Sequence, residues 1–302
     1  MILPRALYRG TTRRRGHRDA NRLFPRPAVW TILGVISLMV VIPLVYMIVV
    51  SLAPEAQVDS GRIVPSTLRW SHYVQIWSQA GLARGLANSL IISGSASVLA
   101  VAIATAAAYP LARYTFAGRR SFLYGVMGVQ LVPGAMILLP LFVVYSMIQS
   151  TVGVIVIGSY WAMIVTYLTF AIPFALWLMV NYLLAVPREL DDAALVDGCT
   201  PVRALWRVVL PVATPGIVVA LLFAFLLGWN DVLFASVLTN GSTQTLAIAV
   251  QVFATTQFLY GASQPRLALL LAAGVVSALP VVIVYLGCQR YLVTGLSAGT
   301  IR

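Results

Sequence analysis

Acidic side chains are few in this chain and unevenly placed. Four of the eight, Glu189, Asp191, Asp192 and Asp197, fall in the segment from Pro187 to Pro201. Acid–base catalysis by such a cluster would call for a poised partner such as histidine. The two histidines, His17 and His72, lie far off in sequence, and neither has a ligand-like partner at metal-binding spacing. Cys199 and Cys288 are equally remote from one another. The chain contains no lysine, so it cannot build the glycine-rich phosphate loop that ends in one. No catalytic residue, metal ligand or bound cofactor is expected, and any ATP must be handled by a partner.

The acid-rich segment suits docking better than catalysis. Pro187 restarts the chain, and Glu189–Val196 can form a short helix with acids in its first turn, where the helix dipole favours them. Gly198 permits a left-handed stop, and Thr200-Pro201 can open a second short helix through Trp206. Ala193, Ala194 and Gly198 would leave this helix–turn–helix small enough to enter a groove on another protein. An ordinary cytoplasmic loop is the competing reading of the same residues.

The elements that carry these residues must lie in lipid. Hydrophobic residues make up 60% of the chain and charged residues 9%, with a mean hydropathy of +0.92. Soluble domains run at about 45–50% and about 25%. Apolar runs long enough to cross a bilayer, free of charge except for Asp231 in the fifth, occur at about 28–52, 86–111, 121–147, 155–184, 215–236 and 267–289. The expected fold is all-α, a polytopic membrane protein with six transmembrane helices. A short polar turn at Gln149–Gly153 would separate the third and fourth.

With both termini in the cytoplasm, only Arg62, Arg69, Arg84 and Arg266 of the twenty arginines lie outside, which satisfies the positive-inside rule. Both cysteines then face the reducing side, which argues against a disulfide. Residues 1–27 form an arginine-rich cytoplasmic tail suited to anionic lipid, not to nucleic acid, since no nucleic-acid fold accompanies it. The run after Pro27 is too long for a signal peptide's apolar core and reads as a retained first helix. Residues 28–302 form the six-helix domain. Its second span is rich in small residues, Ser93–Ser97 and Ala104–Ala108, and should pack against protein.

Two features remain. Asp231 is the lone acid of the fifth apolar run, about 24 Å along a helix from Pro215. Such an acid near the membrane rim is a functional candidate. The outer segment at about 237–266 is uncharged from Val232 to Pro265 and rich in Thr, Gln, Ser and Gly, groups that can replace sugar hydroxyls without burying a charge.

The docking segment, about 187–211, resembles the EAA loop of ABC importer permeases. That pattern is Glu-Ala-Ala, two residues, Asp-Gly-Ala, then Leu-Pro about a dozen residues on. Here it stands as Asp192-Ala193-Ala194, Asp197-Gly198-Cys199 and Leu210-Pro211. Asp replaces the first Glu and Cys the last Ala. Tyr109–Arg113 with Gly118–Arg120, Trp229-Asn230-Asp231, and Gln289–Tyr291 with Gly295–Gly299 are similar to the maltose-type smaller permease of the carbohydrate branch. The likeness spans roughly residues 28 to 302.

The resemblance implies a plasma or inner-membrane assembly with a second homologous permease, two ABC ATPase subunits holding ATP and Mg, and an extracytoplasmic solute-binding lipoprotein. It implies coupling to the ATPase through Asp192, Ala193, Ala194, Asp197, Gly198 and Cys199. Asn230 and Asp231 would serve gating or subunit contact, with sugar contact the alternative for Asp231. Asn240, Gly241, Ser242 and Gln244 would meet the binding protein and help displace its ligand. The implied cargo is a di- or oligosaccharide such as a trehalose- or maltose-like sugar, with glycerol phosphate or a sugar alcohol as alternatives. A secondary transporter would need midplane coupling residues and repeats, and a glycolipid enzyme an interfacial acid or histidine cluster. Asn88, Gln130, Tyr160, Tyr167 and Asn181 are polar residues on spans, expected mainly to join helices.

Overall fold

A computed structural model describes residues 26–60, 65–259 and 266–298. The arginine-rich tail before residue 26, Arg62, residues 260–265 of the outer segment and the chain beyond 298 lie outside the described residues. All regular structure among the described residues is helical: α1 (Arg26–Ser51), α2 (Glu55–Asp59), α3 (His72–Gln79), α4 (Leu82–Arg113), α5 (Arg119–Gly128), α6 (Gly134–Val152), α7 (Tyr160–Ala185), α8 (Glu189–Val196), α9 (Pro201–Ala204), α10 (Leu210–Trp229), α11 (Leu233–Leu238), α12 (Leu246–Leu259) and α13 (Leu267–Ala298). Six stretches are long and apolar enough to span a membrane: Pro27–Ser51, Leu82–Arg113, Gly134–Val152, Tyr160–Ala185, Pro201–Trp229 and Leu267–Tyr291.

The chain divides into residues 1–47 and 48–302. The first holds most of α1, whose apolar side chains, Trp30 and Met39 among them, are exposed. In the second, α4, α7 and α10 form the core. As its small residues predict, α4 is buried along one face, with Ala100, Ala104, Ala108 and Ala112 wholly enclosed. Small residues let backbones approach closely, and dispersion then replaces the hydrophobic drive that lipid cannot supply. Gly228 of α10 shows how close: a Cβ there would meet Ser93 Oγ and the Tyr167 ring at 2.8 Å.

Two expected spans are corrected. The run 121–147 is not one helix, because Val132 and Pro133 are extended (ψ 119° and 130°) and separate α5 from α6. Proline disfavours the helical region for the residue before it, and Val132 yields. The fifth span starts well before Pro215. It runs from Pro201 through a π-helical turn at Leu205–Val209 into α10, and it stops at Trp229 instead of reaching 236. In that turn the Leu210 N–H donates to the Leu205 carbonyl, one residue before Pro211, which has no N–H to give. The turn between the third and fourth spans also shifts: α6 continues to Val152 and ends on Gly153, left-handed at φ 74°.

The outer segment is not a simple loop. Its 14-residue α12 is too short to cross a bilayer, at about 21 Å, and packs against α4 and α13.

Candidate functional site

The segment from Pro187 folds locally for readable reasons. Helix α8 covers Glu189–Val196, with Glu189, Asp191 and Asp192 in its first turn. Its end is a Schellman motif: the Cys199 N–H donates to the Ala194 carbonyl at 2.9 Å and the Gly198 N–H to Leu195 at 3.0 Å. This closure requires the left-handed φ of 80° at Gly198. Thr200 Oγ1 then accepts the Arg203 N–H at 3.3 Å, and Pro201 takes the first helical position of α9.

Of the residues named from sequence, Asp192, Ala193, Asp197 and Gly198 are exposed, Ala194 is buried and Cys199 is half-buried. Three apolar side chains of the segment are open: Val196 (88% exposed) on α8, and Val202 (66%) and Trp206 (67%) after it.

What holds α8 in place went unnoticed in the sequence. Asp191 is buried, and its Oδ2 lies 2.8 Å from Arg113 Nη2 at the end of α4. That contact is an ion pair without hydrogen-bond alignment. The Tyr109 hydroxyl donates to Asp191 Oδ1 at 2.7 Å. Arg113 Nη1 donates to the carbonyls of Leu183 and Val186 at the end of α7, at 3.1 and 3.0 Å. One guanidinium therefore joins the ends of α4 and α7 to α8. The available signal was helical spacing, since Asp191 lies three residues before the buried Ala194, on one face.

Beyond the other end of α10, Asp231 stands two residues before α11 and accepts from its first turn. Its Oδ2 accepts the Ala235 N–H at 2.9 Å and the Tyr167 hydroxyl at 3.0 Å; its Oδ1 accepts the Phe234 N–H at 3.3 Å. Burial pushes this carboxyl above its ordinary value, against the opposing pull of those donors. The Asn230 amide turns back to its own helix, donating to the Leu226 carbonyl at 2.9 Å. Gln130, Tyr167, Asn230 and Asp231 line one cavity of about 740 Å³ together with a group of phenylalanines that sequence reading passed over.

Residues 239–246 form a tied-down turn. Asn240 Oδ1 accepts the N–H groups of Ser242 (2.9 Å) and Thr243 (3.1 Å). Buried Asn88 of α4 donates to the carbonyls of Ser242 (3.0 Å) and Gln244 (2.8 Å) and accepts the Tyr160 hydroxyl at 2.7 Å. The Leu246 N–H donates to Ser89 Oγ at 2.8 Å. Asn240, Gly241 and Ser242 stay exposed and Gln244 is half-buried. Asn88 and Tyr160 thus join helices, as expected. Asn181 bonds within its own helix, donating to the Trp177 carbonyl.

Residues 100–297 match the family described as "binding-protein-dependent transport system inner membrane component". The chain is 29% identical over 280 residues to the trehalose transport system permease protein SugB of Mycobacterium tuberculosis, covering 92% of this chain and 98% of that one. It is 32% identical over 229 residues to the maltodextrin transport system permease protein MdxG of Bacillus subtilis, covering 76% and 78%. Its fold matches a chain of a bacterial ABC transporter involved in import of the acidic polysaccharide alginate, at a TM-score of 0.72 and 22% identity, over 90% of this chain and 98% of that chain. With a family match across most of its length and six apolar spans, the chain belongs to the binding-protein-dependent inner-membrane transport components, the permease subunits of ABC importers.

Proposed function

We propose that this permease forms half of the pore of an importer for a di- or oligosaccharide, paired with a second homologous permease. Two ABC ATPase subunits supply the energy with ATP and Mg, and an extracytoplasmic solute-binding protein delivers the sugar. The relatives named for trehalose and maltodextrin transport support the cargo class. The arginine bias supports an orientation with α8 and both termini in the cytoplasm, residues 1–27 forming a tail outside the six-helix domain.

The observation that carries the reading is the state of the segment 187–211. Helix α8 is bound to α4 and α7 through Arg113, while it exposes Asp192 and Val196 and the turns that follow it expose Val202 and Trp206. Exposed apolar surface rimmed by charge is surface made for a protein partner. We assign its seating on the ATPase to Asp192, Ala193, Ala194, Asp197, Gly198 and Cys199. Contact with the binding protein is assigned to the exposed Asn240, Gly241 and Ser242, with Gln244 at the edge.

Affinity purification of the tagged chain should retain a P-loop ATPase, and the purified binding protein of the same system should bind a di- or oligosaccharide. A chain that transports alone, or a binding protein that takes only a non-sugar solute, would sink the reading at its first or second part respectively.

A further inference from the structure

Resting on the sugar-import reading, we infer that the phenylalanine-lined cleft between α6, α7 and α10 is a wall of the sugar path, stacking on pyranose faces while Asp231 and Gln130 meet hydroxyls. The cleft of about 740 Å³ falls within the roughly 300–1,000 Å³ of small-molecule sites. Phe174 of α7 and Phe223 of α10 lie with ring centroids 5.3 Å apart, tilted by 59°. Phe170 and Phe234 pair at 4.9 Å. Phe223 is 46% exposed.

The break at Val132–Pro133 brings Gln130 and the start of α6 to this cleft. Gly134 allows the approach, since a Cβ there would meet Phe234 at 3.3 Å. Asp231 Oδ2 is engaged with Ala235 and Tyr167, whereas Oδ1 holds the longer bond from Phe234 and offers the freer lone pairs.

The mixture decides what fits. A pyranose has C–H faces and a hydroxyl equator, and aromatic rings cover the faces while carboxylate and amide groups pair the equator. A surface meant for acyl chains would not carry a half-buried carboxylate, which is costly in hydrocarbon. Few polar groups against several rings favours weak, repeated contact, as passage requires.

The test uses the complete transporter with its binding protein in proteoliposomes, supplied with radiolabelled trehalose and maltose. The readout is sugar imported per ATP hydrolysed. Phe223→Leu and Phe174→Leu should lower that ratio roughly three- to tenfold, the scale of one lost aromatic contact. Phe223→Tyr should restore it. Leucine variants that import at the wild-type ratio overturn the inference, as does a parallel loss of uptake and hydrolysis, which would mark the rings as packing. Loss of the second permease from the purified Phe223→Leu complex would instead make the cleft a subunit interface. A wild-type transporter that moves neither sugar counts against the sugar reading itself and removes the inference with it.

Discussion

Arg113 at the end of α4 and Asp191 in the first turn of α8 form an ion pair of 2.8 Å whose side chains are only 7% and 11% exposed. Seventy-eight positions separate them in sequence. A pair this buried contributes little net stability over an apolar replacement, yet breaking one half leaves an uncompensated charge. Its value lies in geometry: Arg113 also holds the Leu183 and Val186 carbonyls, so α8 cannot shift without α4 and α7.

Asp191→Asn should therefore destabilise the purified complex strongly, on the order of 3–5 kcal/mol. The double variant Arg113→Met with Asp191→Leu should melt above Arg113→Met alone, while importing less sugar per ATP than wild type. Both leave the Leu183 and Val186 carbonyls without their donor, and only the single variant strands a buried carboxylate. Thermal melting of the detergent-solubilised complex and the uptake-to-hydrolysis ratio check both halves. Equal melting temperatures for Arg113→Met and the double variant would show that the charges do not support each other.

Gly198→Val places a β-branched residue at φ 80°. A Cβ there meets no atom within 4 Å, so the effect is backbone strain and not a clash. The strain, about 1–3 kcal/mol or more for valine, opens the Schellman closure and tilts α8 from its partner. Uptake should fall well below ATP hydrolysis while the complex remains largely assembled. Gly198→Asn, which tolerates the left-handed region, should be milder. Normal stimulated hydrolysis and uptake in Gly198→Val would remove the coupling role of this segment.

How far these elements were readable follows from how local their causes are. The extent of α8, the left-handed Gly198 and the Thr200 cap depend on neighbours within four residues, and all were legible. The six spans were legible because charge-free length is itself the physical requirement. The break after Leu131 was not, since Pro43, Pro110, Pro140 and Pro173 remain inside helices whereas Pro133 ends one. The surroundings, not the proline, decide which occurs. Helix α12 was hidden by its length, too short for a span, and by the polar run before it. The Arg113–Asp191 pair and the Phe170–Phe234 contact join distant positions that no spacing rule connects.

Topology is open to cysteine labelling. In a Cys199→Ala, Cys288→Ser background, an impermeant maleimide should reach Ser60→Cys and Ser242→Cys in intact cells. Ala117→Cys, exposed between α4 and α5, should label only after permeabilisation. Labelling at 117 in intact cells would invert the orientation drawn from the arginines.

The last prediction concerns how the binding-protein signal enters the permease. Deleting Asn240–Gln244 would be a poor probe, because Asn88 grips the Ser242 and Gln244 carbonyls and Ser89 the following N–H, registering α12 on α4. Substitution at the exposed tip separates contact from support. Gly241 has open space around it, so Gly241→Trp adds bulk without an internal clash. It should obstruct the binding protein and lower the ratio of stimulated to basal hydrolysis severalfold. Asn88→Leu keeps the tip but removes the amide that pairs the part-buried Ser242 and Gln244 carbonyls and the Tyr160 hydroxyl, at about 0.5–1.5 kcal/mol for each lost bond. It should lower the same ratio and also the melting temperature, whereas Gly241→Trp should leave melting alone. A Gly241→Trp transporter stimulated as fully as wild type would make this turn a brace for α12 only, and the binding protein must then dock elsewhere.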